Sequence, residues 1–444
     1  MGKISVLLIT AAVVSGATSL AQTVPDPQLM QEINRIPALD NHTHVPKVVA
    51  AGEKDDDYDA LPCGNNLEPV ADPRMARPEN PLFLQGWKEL YGYSYDDKSP
   101  EHLRELESTM QRVRREQDEN FPVWVLDKLN IKYMLANRVA MGPGLKAPRF
   151  LWVPFDDALM LPLNNRSVAN ETPDRKFFYR REENLLKRYM TEAGVSTLPA
   201  TLDQYVSQVI VPTLQHQKQA GAVAIKFEAA YLRSLNFAEP DRPAATRIYQ
   251  QYSRSGAPSK PDYLKLQDVL FREIAREAGR VGLAVHIHTG AGCGGYFDVG
   301  GSNPSLLDSV LNDSSLRKTN FVLIHGGSGP FPKVTAFLLS KPNVYTDFSE
   351  QDWMLSPRAL SAVIRDWLEW YPEKILFGTD LFPGSSLQYD WDSIGYMIAT
   401  TGRQALGLAL TGMMNDGEIN RTQAIDYARM VLIGNAAKLY GLQP

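Results

Sequence analysis

Of the seven histidines in this 444-residue chain, five fall in short apolar stretches. They are His42 and His44 in "ALDNHTH", His286 and His288 in "LAVHIHTG", and His325 in "FVLIHGG". Stretches of the same kind carry Lys226 in "AVAIKFE" and Asp380 in "KILFGTD". His102 and His216 sit in charged helical text and read as surface residues. Side chains at i and i+2 of a strand leave from one face, so His42 and His44 aim their imidazoles at one point. Several rings buried together without compensation would cost several kcal/mol in desolvation. Bound to a metal, the same rings and a carboxylate are ordinary ligands. The pattern therefore predicts that His42 and His44 are two ligands of one divalent ion, with zinc the first choice and manganese also compatible. Asp380 would take a proton from an attacking water and pass it to the leaving group.

Such residues need a frame that gathers strand ends. Eight apolar or β-branched runs follow one another: "RIPALDNHTH", "NIKYMLANRV", "RFLWVPF", "AVAIKFEAAY", "GLAVHIHTG", "NFVLIHGG", "NVYTDFS" and "KILFGTD". Most are preceded by an amphipathic helical pattern, such as "YLKLQDVLFREIAREAGRVG". Helix and strand in repeated alternation signal a parallel sheet, and eight units predict a (β/α)8 TIM barrel. In that fold the C-terminal strand ends build the active site, and the five histidines and Asp380 all lie at such ends. Two insertions interrupt the alternation, at about 45–122 and 158–200. The first reads as a cap-like insertion after the first strand. Its Trp87, Tyr91, Tyr93 and Tyr95 either line that cap or pack its core. The loops 45–122, 158–200 and 290–304 would set the substrate, and none carries a legible motif.

The order of these groups, HxH on strand one, Lys on four, His on five and six, Asp on eight, resembles the amidohydrolase superfamily. "HTG", "LIHGG", "NVYTDFS", "ILFGTD" and "IGNAAKLYGL" are similar to its amidohydrolase-related branch, and "KFEAAYLRSL" to the amidohydrolase domain fused to glutamine-synthetase-like proteins. The resemblance runs from about Asp40 to Leu442. It implies metal ligands at His42, His44, His288 and Asp380, with His325 a ligand or an acid/base beside the metal. His286 is the alternative ligand on strand five. The resemblance also implies that Lys226 reacts with CO2 and bridges two ions. Otherwise Lys226 stays neutral near a single ion or pairs with a carboxylate such as Glu228. The activity implied is hydrolysis of an amide, ester or lactone through a metal-activated water. The alternatives are a non-oxidative decarboxylase of an aromatic or enol acid and a metal-retaining binding protein without turnover.

The remaining signals bound the setting. A net charge of -5 offers no basic excess to neutralise phosphates, which argues against a nucleic-acid or anionic-membrane partner. That leaves a small-molecule substrate, with or without self-association into a homo-oligomer. Residues 1–21 read as a signal peptide: Lys3, an apolar run from Ile4, then Ser19-Leu20-Ala21. The mature protein, 22–444, is then exported to the periplasm or secreted. The two cysteines, Cys63 and Cys293, lie in loops after strands one and five and are expected to form a disulfide in that compartment. "GAGCGG" satisfies a dinucleotide pattern but is followed by "YFDVGGSNP", which opens no helix, so it reads as an active-site loop. Arg233, just past strand four, would either pair with a substrate carboxylate or be a solvated loop arginine.

Overall fold

A computed structural model describes residues 24–444 apart from positions 51 and 65; the expected signal peptide lies outside the described residues. Eight strands form where the eight runs were read. They are β1 (Ala38–Thr43), β2 (Ile131–Asn137), β3 (Phe150–Val153), β4 (Ala224–Phe227), β5 (Ala284–His288), β6 (Phe321–Ile324), β7 (Val344–Asp347) and β8 (Ile375–Leu376). Every pairing is parallel, in the orders β1-β2-β3 and β4-β5-β6-β7-β8. Parallel bridges join the two sheets at both seams, Thr43 to Leu381 and Phe155 to Lys226. The sheet closes into a (β/α)8 barrel.

The helices between strands begin and end on local signals. The helix Lys260–Val281 is capped by Ser259, has Pro261 in its first turn, and stops at Gly282 in the left-handed conformation (φ 74°). That residue type costs least there, and the turn delivers the chain into β5 with His286 and His288. Val285, Ile287, Val322 and Leu323 are fully buried, as strands covered on both faces require.

The two insertions differ in what they cover. In the first, the helices Pro81–Tyr91 and Pro100–Gln117 pack near the start of the helix Trp391–Asn415. There Tyr91 donates to Asp392 at 2.6 Å, and Arg114 pairs with Asp390 and Asp392. Trp87 and Tyr93 are buried in that packing, with Trp87 also against Tyr389. The loop around Asp59 and Cys63, in contrast, reaches the strand ends. In the second insertion, the helix Pro173–Glu192 lies across the ends of β3 and β4, where Tyr189 donates to the Phe155 carbonyl and Tyr179 to that of Leu232. Among the described residues, no helix is long and apolar enough to cross a membrane.

Candidate metal centre

Three of the expected groups converge most closely. One ligand atom each from His42, His325 and Asp380 lie within 4.8 Å of one another, at the ends of β1, β6 and β8. His42 Nε2 is 3.2 Å from Asp380 Oδ1. Its other nitrogen, Nδ1, is 2.7 Å from Asn137 Oδ1. A carbonyl oxygen can only accept, so Nδ1 carries the proton and the Nε2 lone pair faces the centre. His44 stands beside them, with Nε2 3.4 Å from Asp380 Oδ1 and Nδ1 3.0 Å from Asp59 Oδ2. Lys226 Nζ approaches His42 Nε2 at 3.2 Å and Glu228 Oε1 at 3.7 Å.

His325 is held by a longer chain of hydrogen bonds. Its Nδ1 meets Ser349 Oγ at 2.9 Å, and that hydroxyl donates to Asp347 Oδ1 at 2.7 Å. Asp347 also accepts from the His325 backbone N–H at 2.8 Å and from Asn41 Nδ2 at 2.7 Å. Asn41 in turn accepts from the Tyr440 hydroxyl, which lies 2.7 Å from His286 Nε2. Donor and acceptor roles close in one direction only. With the Ser349 proton spent on Asp347, Nδ1–H of His325 donates to Ser349, and Nε2 keeps its lone pair for the centre.

Burial, first of all, holds His42, His288 and His325 well below the usual imidazole range, and His286 at about 3. Neutral rings are what a metal requires. Burial also pushes the Asp380 carboxyl up to about 7, against the pull of His44 and Lys226. Imidazole lone pairs and a carboxylate starved of solvent fit a divalent ion. The backbone is strained at the same rim. His325, Glu350 and Asp380 adopt φ of 67°, 65° and 55°, a conformation that costs non-glycine residues about 1 kcal/mol or more each and gathers at functional sites.

The other expected residues fall as follows. His288 reaches the rim, its ring centroid 4.6 Å from that of His325, with Nε2 2.6 Å from the Ala291 carbonyl. His286 lies a layer deeper on Tyr440 and is not part of the converging group. Cys63 and Cys293 are bonded, with Cα atoms 5.9 Å apart, so the loops after β1 and β5 are tied across the mouth. Arg233 does not face a substrate. Its guanidinium is buried against Asp268 at 2.8 Å, bonds Gln267 and the carbonyls of Ser234 and Asn236, and stacks on Phe237. Buried acceptors on the barrel wall outcompete an exposed position at the rim. Asn137, Asp59, Asn41, Asp347, Ser349 and Tyr440 were not singled out from sequence. Asp347 and Asn137 end β7 and β2, so the strand-end argument that found Asp380 would also have found them.

A family model described as Amidohydrolase matches residues 243–442, which carry β5 to β8. Protein fluG of Emericella nidulans is 26% identical over 234 residues, 50% of this chain. The chain spans about a quarter of that relative's length, 26%. Among solved structures, a Lactobacillus casei protein described as a metal-dependent hydrolase superposes with TM-score 0.59 at 17% identity, covering 94% of this chain and 98% of that one. Glucuronate isomerase from Caulobacter crescentus superposes with TM-score 0.61 at 12% identity, covering 94% of each. The fold is the (β/α)8 barrel these structures share, and residues 243–442 are similar to the amidohydrolase family.

Proposed function

We propose that this barrel belongs to the amidohydrolase superfamily and hydrolyses an amide, ester or lactone bond of a small molecule. The observation that carries the reading is the convergence of His42, His325 and Asp380 at the ends of β1, β6 and β8. His42, His44, His325 and Asp380 would hold a divalent ion, zinc by preference, with His288 and Lys226 at its edge. When bound, such an ion supplies Lewis acidity toward a carbonyl and lowers the pKa of water. The residues do the rest. Asp380, its carboxyl near neutrality at about 7, receives the proton of the attacking water and returns it to the leaving group. His325, with Nδ1–H committed to Ser349, presents Nε2 to the reacting side. Asn137 and Asp59 keep His42 and His44 in orientation. The Cys63–Cys293 bond and residues 1–21 support export into an oxidising compartment.

The test is an assay of metal-loaded mature protein against lactones, N-acyl amino acids, carboxyl esters and aromatic acids, with products identified by mass spectrometry. Metal-dependent release of a hydrolysis product, abolished in Asp380→Asn, is the expected result. Loss of CO2 from an aromatic acid with no hydrolysis anywhere on the panel would overturn the reading in favour of decarboxylation.

A further inference from the structure

The face of the helix Pro173–Glu192 turned toward the barrel carries one side chain with no structural explanation. Glu182 is fully buried, yet neither carboxylate oxygen has a hydrogen-bond partner. It shares that face with Phe178, one turn earlier. Phe178 meets Tyr231 at 5.5 Å between centroids, and Tyr231 meets His288 at 4.8 Å. Glu182 also interacts electrostatically with Glu228, which is 3.7 Å from Lys226, itself 3.2 Å from His42, so it faces the metal-centre side of the barrel. The carboxylates that act on it electrostatically are Asp157, after β3, Glu228, after β4, and more weakly Asp156. Each of these is buried and also has one unpartnered oxygen, Asp157 Oδ1, Glu228 Oε2 and Asp156 Oδ2. Their other oxygens are used, by the Glu228 N–H, by Lys226 and by the Gln217 amide.

Nearby cations do not fill the gap. Arg181 spends its Nε and one terminal nitrogen on the carbonyls of Ala60 and Asp59, and Lys226 pairs with Glu228 through Oε1, at 3.7 Å. A buried carboxyl without a donor costs free energy whether charged or neutral. Nor is this a second metal site. Among the described residues, only His42, His325 and Asp380 bring three ligand atoms within 4.8 Å, so these acceptors are too dispersed for one ion. Dispersed acceptors suit a group with several N–H donors.

We infer that Glu182, Asp157 and Glu228 form a subsite beside the metal centre for a cationic group of the substrate, an ammonium or a guanidinium. The inference rests on the hydrolase reading and narrows it. The scissile bond belongs to an amine- or guanidine-bearing molecule, and acids are disfavoured by a mouth that also holds Asp59, Glu350 and Asp380.

The test is calorimetric titration of the metal-loaded protein with agmatine and 1,5-diaminopentane, against 1,5-pentanediol and glucuronate as neutral and acidic controls. Saturable binding of the amines, weakened about tenfold or more in Glu182→Gln, is expected, the scale of one charge-assisted hydrogen bond. Metal content should be unchanged, which sets the loss apart from damage to the centre. If Glu182→Gln does not fold, Asp157→Asn carries the same comparison. Amines binding no better than the diol, or equally in wild type and variant, would overturn the subsite; so would tighter binding of glucuronate. Turnover on the hydrolase panel without amine binding removes the subsite alone. Amine binding without turnover of any panel member, the panel extended to N-acyl derivatives of agmatine and 1,5-diaminopentane, keeps the subsite and removes the hydrolase reading.

Discussion

Ser349→Ala deletes one oxygen that touches no proposed ligand atom, and it should nevertheless weaken metal binding. In the wild type the Ser349 hydroxyl gives its proton to Asp347 at 2.7 Å and receives that of His325 Nδ1 at 2.9 Å. Without it, Nδ1–H has lost its acceptor inside a buried site. The ring then gains by moving the proton to Nε2, where the metal needs a lone pair. Restoring the ligating tautomer costs about the net value of the lost hydrogen bond, and loss of ring orientation adds to it. Groups that hold the second nitrogen of a ligating histidine typically contribute about 10- to 100-fold in affinity, or about 1.4–2.7 kcal/mol. The loop should survive, because Asp347 still accepts from the His325 N–H at 2.8 Å and from Asn41 at 2.7 Å. Metal-free stability should therefore fall by only about 1 kcal/mol, or about 1–2 °C in a chain of this size. Chelator competition gives the metal dissociation constant, and a thermal melt of the metal-free protein gives the stability. Metal affinity within about twofold of wild type would refute the proposed role of the Ser349–Asp347 chain.

Three further outcomes follow from the same geometry. Asp380→Asn should fold and yet lose turnover by about a thousandfold or more, since an amide takes no proton; a near-wild-type kcat at saturating metal would take Asp380 out of the mechanism. Burial raises the Asp156 carboxyl to about 8, above its usual value of about 3.9, so its contribution to stability is fully present below about pH 4, falls as pH rises toward 8, and levels off above. Between pH 6 and 9 the loss is about 2.7 kcal/mol, and Asp156→Asn, which keeps an oxygen for the Gln217 amide now 2.7 Å away, should melt with a smaller drop between pH 6 and 9 than the wild type. Replacing both Cys63 and Cys293 by serine opens a 230-residue loop and should cost up to about 5 kcal/mol in the chain-entropy model, read as a lowered melting temperature; an unchanged melt would show that the tie adds no stability.

The barrel was legible because parallel strands buried on both faces leave continuous apolar runs, and all eight were found at their places. His42, His325 and Asp380 were legible for a related reason: a polar group ending an apolar run has few explanations besides the site. The groups that orient them were harder to read. Tyr440 is one aromatic in the last helix, and only the closed barrel shows that it bridges His286 to Asn41. Arg233 was misjudged because its acceptors, Asp268 and Gln267, belong to the helix Lys260–Val281, and sequence spacing does not reveal a partner 35 residues on. The first insertion reads as a cap; its two helices pack near the start of Trp391–Asn415, the long helix that follows β8. The helix across the β3 and β4 ends comes from the second insertion, whose charged sequence hides an inward face.

Metal content per chain, measured by mass spectrometry on protein purified without chelator, for the wild type and for His42→Ala, decides whether the strand-end histidines hold an ion. At least one divalent ion should be bound to the wild type and little or none retained by the variant, with the fold intact by circular dichroism. A wild-type chain that stays metal-free when dialysed against zinc and manganese, or a His42→Ala chain that holds as much metal as the wild type, would contradict the metal assignment.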